Sequence, residues 1–218
     1  MQHDRIAVID FGGQYAHLIA TKVRRAHVLA EIRQPEDPIE DFAGYKGIIL
    51  SGSPALSSHG EDSAYNKEIY DLDVPIIGFC FGQQDIAKHY GGEVVHGKQE
   101  WGHADLHIAR EHPLFAGLEP IEQVWMSHFD SVTAVGPDFE ELGHSVLGED
   151  AAPHRYAAIG SDKLRRYGFQ FHPEVDDTLH GDDMIANFVL NICGCAPTWT
   201  MDSYVQDQFE RINAQVCE

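Results

Sequence analysis

Two short stretches of this chain carry residue types suited to covalent catalysis. Gly78-Phe79-Cys80-Phe81-Gly82 has the shape G-x-nucleophile-x-G. Flanking glycines allow such a stretch to fold as a tight strand-to-helix turn that lifts the middle side chain above a sheet. At a helix N-terminus, peptide dipoles and N–H groups without intrahelical partners favour a thiolate over a thiol. The pentapeptide alone leaves a packed core cysteine equally open, because short motifs match by chance. A nucleophilic thiol also needs a base, and the chain has 14 histidines. His172 stands out, in "YGFQFHPEV" at the end of an apolar run. Pro173 restricts His172 to extended conformations, which puts His172 and Glu174 on the same side, two residues apart. A carboxylate there can hold the imidazole tautomer and support its cation. Read alone, "HPE" is also a plain strand-ending turn; coupled with the elbow, a Cys80–His172–Glu174 triad is the better reading.

The elements that must position these residues follow from the hydrophobic pattern. "RIAVIDF" (5–11), "VLAEIR" (28–33), "GIIL" (47–50) and "PIIGF" (75–79) read as buried strands. A helical spacing starts near Tyr15, a helix is expected at 62–71, and another follows Cys80 up to Gly91-Gly92. Strands alternating with helices predict an α/β fold with a mostly parallel central sheet flanked by helices on both faces, a flavodoxin-like arrangement. Ligands of such sheets bind at the carboxyl ends of the strands, where Cys80 falls. Beyond Gly92 the predicted strands lie closer together, at 104–109, 123–126, 131–135, 156–160 and 166–171, and a helix follows at about 182–192. Met201, Tyr204, Val205, Phe209, Ile212 and Val216 repeat at three and four residues and predict an amphipathic C-terminal helix. The expected organisation is a domain over 1–197 and a helical appendage over 198–218.

Composition narrows the class. The 218 residues are 43% hydrophobic and 23% charged, as in a globular chain. With 35 acidic against 15 basic residues, the formal charge of −20 repels phosphate backbones and anionic lipid, so neither nucleic acid nor membrane is expected as a partner. No apolar run approaches a membrane span, and the first residues do not look like a secretory signal. Four cysteines make no disulfide framework, so a cytoplasmic location is expected.

"GFCFGQQ" with "GFQFHPEV" resembles the class I (triad) glutamine amidotransferases, in which G-x-C-x-G-x-Q pairs with a distant H-P-E. The resemblance covers nearly the whole chain and points to the amidotransferase part of the GMP synthetases. "IDFGGQYAHLIATKVR", "GIILSGSP", "EWGHADLHI", "VWMSHFDSV" and "NFVLNICGCAPTWTMDSYVQDQFERI" are similar to successive segments of those enzymes. It implies that Cys80 attacks the side-chain amide of glutamine, that His172 shuttles protons and that Glu174 orients it. The oxyanion would be held by the backbone N–H groups of Ser53 and Phe81, while Gly52, Gln84, Ser127, His128 and Phe129 would bind substrate. The implied partner is an XMP-aminating ATP pyrophosphatase module. ATP and Mg belong to that partner, and no cofactor is expected in this chain.

Two positions depart from the family pattern. Ser53 replaces the second glycine of G-G-P, and its Cβ would penalise a positive φ. Phe129 replaces the glycine of S-H-G-D, placing a ring where the family leaves space. Cys193 and Cys195 form a C-x-C with no further ligands at metal spacing, so they read as structural and no metal is expected. The chain shows neither S-G-G-x-D-S nor G-x-x-x-x-G-K-[ST], so any ammonia it releases would be consumed elsewhere. The competing readings are a stand-alone amidotransferase or γ-glutamyl hydrolase serving another substrate, and a non-catalytic regulatory module. A reactive thiol disfavours the module.

Overall fold

A computed structural model describes residues 3–13, 15–54, 66–148 and 152–216. Nine strands form one sheet: β1 (Arg5–Ile9), β2 (Leu29–Arg33), β3 (Gly47–Leu50), β4 (Ile76–Phe79), β5 (Glu93–Ile108), β6 (Ile121–Ala134), β7 (Glu140–Val146), β8 (His154–Ser161) and β9 (Arg166–Phe169). Their spatial order is β2-β1-β3-β4-β9-β8-β7-β5-β6. Pairings from β2 through β9 are parallel, and those from β9 through β6 are antiparallel. The helices are α1 (Tyr15–Arg25), α2 (Phe81–His89), α3 (Gly181–Asn187) and α4 (Met201–Val216).

The inner parallel strands β3 and β4, and β1 beyond Arg5, are apolar on both faces because helices cover both faces. Alternate side chains of β1 go opposite ways, as strand geometry requires. Ile6 and Val8 join a core with Ile19 and Val23 of α1 and with Met184 and Ile185 of α3. Ala7 and Ile9 join a second core with Ile86 and Ala87 of α2, together with Phe42 and Tyr70. The expected α/β architecture is therefore present, with the antiparallel half added at one edge.

That half is where the sequence was hardest to read. The expected strands 123–126 and 131–135 are one continuous strand, β6. Its partner β5 begins at Glu93, well before 104, with a register shift between His96 and Glu100. β7 was not anticipated; Gly143 breaks its apolar alternation, and its pairing with β8 shifts register there. In the expected helix at 62–71, Lys67–Asp71 forms a short 3₁₀ turn, while 62–65 lie outside the described residues. The helix expected at 182–192 is α3 followed by a π-helical turn over Phe188–Ile192. The amphipathic tail is α4, with Met201, Val205, Phe209 and Ile212 exposed. Packing onto the body persists as far as Trp199, whose N–H donates to the His27 carbonyl at 2.8 Å.

The β4–α2 junction leaves no room for a side chain at either of its glycines. A Cβ on Gly78 would collide with the backbone of Gly82, and one on Gly82 would lie 2.6 Å from the Leu50 carbonyl oxygen. Gly78→Ala should therefore destabilise the chain by about 3 kcal/mol, at the upper end of typical overpacking. Urea unfolding of both proteins measures this; an unchanged midpoint would show that the junction can relax.

Candidate active site

Cys80 sits between the end of β4 and the start of α2 with φ 50 and ψ −106. That lies outside even the small left-handed region open to L-residues. Two backbone hydrogen bonds fix it there. Its N–H donates to the Phe169 carbonyl at 2.8 Å, and its carbonyl accepts from Gln84 N–H at 3.1 Å. Its Sγ lies 3.7 Å from the Ser127 carbonyl oxygen. The first N–H groups of α2, Phe81 among them, have no intrahelical partner because they open a helix.

β9 is the neighbour of β4, so the chain leaving β9 passes beside Cys80. β9 ends at Phe169, two residues short of the expected 171, and a turn follows at Pro173 and Glu174. The turn is latched to β6: His172 N–H donates to the Trp125 carbonyl at 3.1 Å, and Thr178 Oγ1 donates to the His172 carbonyl at 2.7 Å. Lys22 of α1 pairs with Asp176 at 3.0 Å and Asp182 at 2.5 Å, pinning the following segment and α3. Within this frame His172 Nδ1 lies 2.8 Å from Glu174 Oε1. The Tyr15 ring covers the imidazole at a centroid distance of 4.9 Å, and Gly52 packs close to both His172 and Cys80.

His172 and Glu174 are both buried. Burial alone would drive the imidazole towards neutrality. The Glu174 carboxylate and the hydrogen bond to Cys80 outweigh it, so His172 is held protonated well above its ordinary 6.5. The other cysteines are different. Burial pushes the Cys193 thiol up strongly and that of Cys195 to about 11, as suits packed, unreactive side chains. Cys217 lies outside the described residues.

A cleft of about 340 Å³ opens over Cys80, lined by Ser53, Phe81, Gln84, Ser127, His128, Phe129 and His172. These seven residues were all expected from the sequence. Tyr15, Pro54, His96, Trp101 and Asp130 complete the wall and were not singled out. A larger depression of about 680 Å³ between Ile108 and Pro120 has no cysteine among its lining residues.

Gln84 is buried, and its amide donates to the Asp130 carbonyl at 2.6 Å and to Gln170 Oε1 at 3.1 Å. Phe129 stands half-exposed at the rim, edge-on to Trp101 at 5.1 Å. Its bulk is thus carried by an aromatic pair at the mouth. Ser53 is not in the positive-φ region, so the expected Cβ penalty does not arise; its hydroxyl donates to the Phe11 carbonyl at 2.9 Å. His128 borders the cleft, yet both ring nitrogens are engaged, Nδ1 with the Asp130 carbonyl at 2.9 Å and Nε2 with Glu100 Oε2 at 3.2 Å. Burial would raise the Glu100 carboxyl, but the His128 and His154 imidazoles beside it hold it down to about 2.

A thiol on a strained elbow, an imidazole beside it and a buried carboxylate behind the imidazole can together perform acyl transfer. The family model for class-I glutamine amidotransferases matches residues 7–192. The chain belongs to that family. Among family members, the GMP synthase (glutamine-hydrolyzing) of Symbiobacterium thermophilum is 47% identical over 99% of this chain and 42% of its own length. The enzyme of the same name from Heliobacterium modesticaldum is 41% identical over 98% of this chain and 41% of its own length. The chain thus spans about two fifths of the curated relatives it matches. Among solved structures, a putative GMP synthase subunit from Thermoplasma acidophilum superposes with a TM-score of 0.75 at 27% identity, covering 95% of this chain and 98% of that one. A glutamine amidotransferase from Thermotoga maritima has the same fold, with a TM-score of 0.63 at 19% identity over 90% of this chain and 88% of its own. Among the described residues of this amidotransferase, no helix is long and apolar enough to cross a membrane.

The raised imidazole makes a prediction with a defined sign. A folded-state pKa above the unfolded 6.5 adds stability that is fully present below pH 6.5 and is lost as pH rises through the folded value. Glu174→Gln should lower the His172 titration midpoint seen by ring-proton NMR, with His172→Ala assigning the signal. The stability difference between the two proteins should be widest below pH 6.5 and shrink at higher pH. An unmoved midpoint would show that Glu174 does not support the cation.

Proposed function

We propose that this chain hydrolyses glutamine to glutamate and ammonia at Cys80, and that the ammonia goes to an XMP-aminating ATP pyrophosphatase module to make GMP. The observation that carries the first part is the strained Cys80 facing an imidazole that a buried carboxylate holds at 2.8 Å. The relatives' name supports the second.

The cleft residues suffice for each step. The proton shared between Cys80 and His172 rests on the imidazole, so Cys80 Sγ attacks the side-chain amide carbon of glutamine as a thiolate paired with the His172 cation. The Phe81 and Ser53 N–H groups hold the oxyanion. The C–N bond breaks, the proton on His172 passes to the leaving nitrogen, and ammonia departs from a glutamyl thioester. Water then attacks the thioester with His172 as base. The C–S bond breaks, the thiolate is restored beside the His172 cation, and glutamate leaves. Glu174 orients the imidazole and stabilises its cation throughout. Gly52, Gln84, Ser127, His128 and Phe129 shape the site around the amino-acid end of glutamine. ATP and Mg act on the partner's side, and this chain needs no cofactor for its half.

Residues 1–197 would then be the glutaminase domain, with 198–218 an appendage that carries α4 and leads to the synthetase module. The exposed apolar face of α4 suits a helix that packs against another body.

Cys80→Ala should abolish glutamine hydrolysis with the fold intact. His172→Ala should lower kcat by about 10²–10⁴-fold, the usual worth of a general base, and Glu174→Gln should lower it less. Steady-state ammonia release measures all three; a parent-like rate for His172→Ala would remove His172 from the chemistry.

Glutaminase turnover should also rise when an XMP-aminating partner and its nucleotides are added, and deletion of 198–218 should reduce that stimulation. A partner would act by shifting the population of a competent cleft. Full turnover of the isolated chain, unaltered by partner or deletion, would identify a stand-alone hydrolase instead.

A further inference from the structure

His128 of the cleft wall belongs to a cluster of side chains that takes no part in the proton transfers of hydrolysis. Glu100 of β5 and His128 of β6 are directly opposite in the antiparallel ladder, and His154 at the start of β8 closes over them. His128 Nε2 is 3.2 Å and His154 Nδ1 is 3.3 Å from the same carboxylate oxygen, Glu100 Oε2. One ligand atom from each residue can be chosen so that all lie within 4.8 Å of one another. The side chains are 13%, 1% and 9% exposed for Glu100, His128 and His154.

Hydrogen bonding leaves this cluster incomplete. His128 Nδ1 faces the Asp130 carbonyl at 2.9 Å and must carry the proton there, so a neutral ring points the Nε2 lone pair at a carboxylate. A second proton on His128 would bridge that pair but would leave His154 unanswered. Neither buried nitrogen of His154 has a hydrogen-bond partner among the described residues, the 3.3 Å approach to Glu100 being too poorly directed to make one. An imidazole so placed is anomalous in a native interior.

We propose that Glu100, His128 and His154 bind one divalent cation of the zinc class. Two imidazole nitrogens and a carboxylate oxygen are a zinc donor set. The 3.2 and 3.3 Å separations match the edge of about 3.3 Å expected for donors some 2.0–2.1 Å from a tetrahedral ion. The bond from His128 Nδ1 to the Asp130 carbonyl is the outer contact that fixes a ligating tautomer. Ser145 Oγ, 3.4 Å from Glu100 Oε2, is placed to hydrogen-bond the carboxylate or to anchor a water in the fourth position. The ion would staple β5, β6 and β8 together and thereby hold Ser127–Phe129 against the cleft. Its role is structural, because Glu100 and His154 do not line the cleft and Cys80 already has His172. In the sequence the visible metal-like pattern is Cys193–Cys195; this cluster instead joins three segments 28 and 26 residues apart.

The test is zinc binding to the full chain after chelator treatment, followed by calorimetry and X-ray absorption at the zinc edge. The expected result is one equivalent bound through nitrogen and oxygen only, together with a higher Tm in zinc. Affinity should fall by more than about 100-fold in His154→Ala, beyond what loss of a supporting contact produces. His154→Asn, which keeps a polar side chain, should fall likewise and guards against a folding failure. Cys193→Ser with Cys195→Ser should bind as the parent does. No stoichiometric uptake, sulfur in the zinc shell, no rise in the parent's Tm, or undiminished binding in both His154 variants would overturn the site.

Discussion

The backbone of a single residue organises this molecule. At φ 50 and ψ −106, Cys80 occupies a conformation that costs on the order of 1–3 kcal/mol for an L-residue and persists only when its surroundings over-determine it. Those surroundings are Gly78 and Gly82, whose missing side chains let β4 run directly into α2, and the Phe169 carbonyl that captures the Cys80 N–H. Since Phe169 ends β9, the bond that holds the elbow also fixes where the chain emerges towards His172. Thiol and imidazole are therefore brought together by the sheet order itself.

Electrostatics complete the site. His172 and Glu174 are buried where an isolated charge would be strongly disfavoured, and they coexist because each satisfies the other. The second carboxylate oxygen of Glu174 has no hydrogen-bond partner among the described residues, which leaves its charge directed at the imidazole. Tyr15 packs against the ring and the Trp125 carbonyl holds the His172 backbone N–H, so a cation formed there is already oriented. The same mutual satisfaction appears at Arg166, a buried guanidinium whose donors are taken up by the carbonyls of Tyr70, Leu72 and Val74 on the approach to β4.

What could be read from the sequence was local. Cys80 with its glycines, Gln84 one turn later and the His172–Glu174 pair each carry their signal within a few residues, and all of them line or back the cleft. The inner parallel strands β1, β3 and β4 were readable because both of their faces are apolar. The antiparallel edge was not, because β6 alternates with polar residues at Ser127 and Asp130 and β7 is interrupted by Gly143. Tyr15, His96 and Trp101 reach the cleft from segments whose own pattern says nothing of one another. The penalty expected at Ser53 failed because it presumed a backbone conformation that a residue type cannot reveal. Phe129 lies at the rim because Trp101, on the neighbouring strand, gives its ring somewhere to rest.

Hydrolysis at this site requires Cys80 to form a covalent bond to the glutamyl group. Rapid acid quenching of the chain during turnover of isotope-labelled glutamine, followed by peptide mass spectrometry, looks for that bond directly. A glutamyl adduct on the peptide containing Cys80, formed and discharged at rates compatible with turnover, is the predicted result. Turnover with no adduct on Cys80, or with the label on Cys193, Cys195 or Cys217, would contradict it.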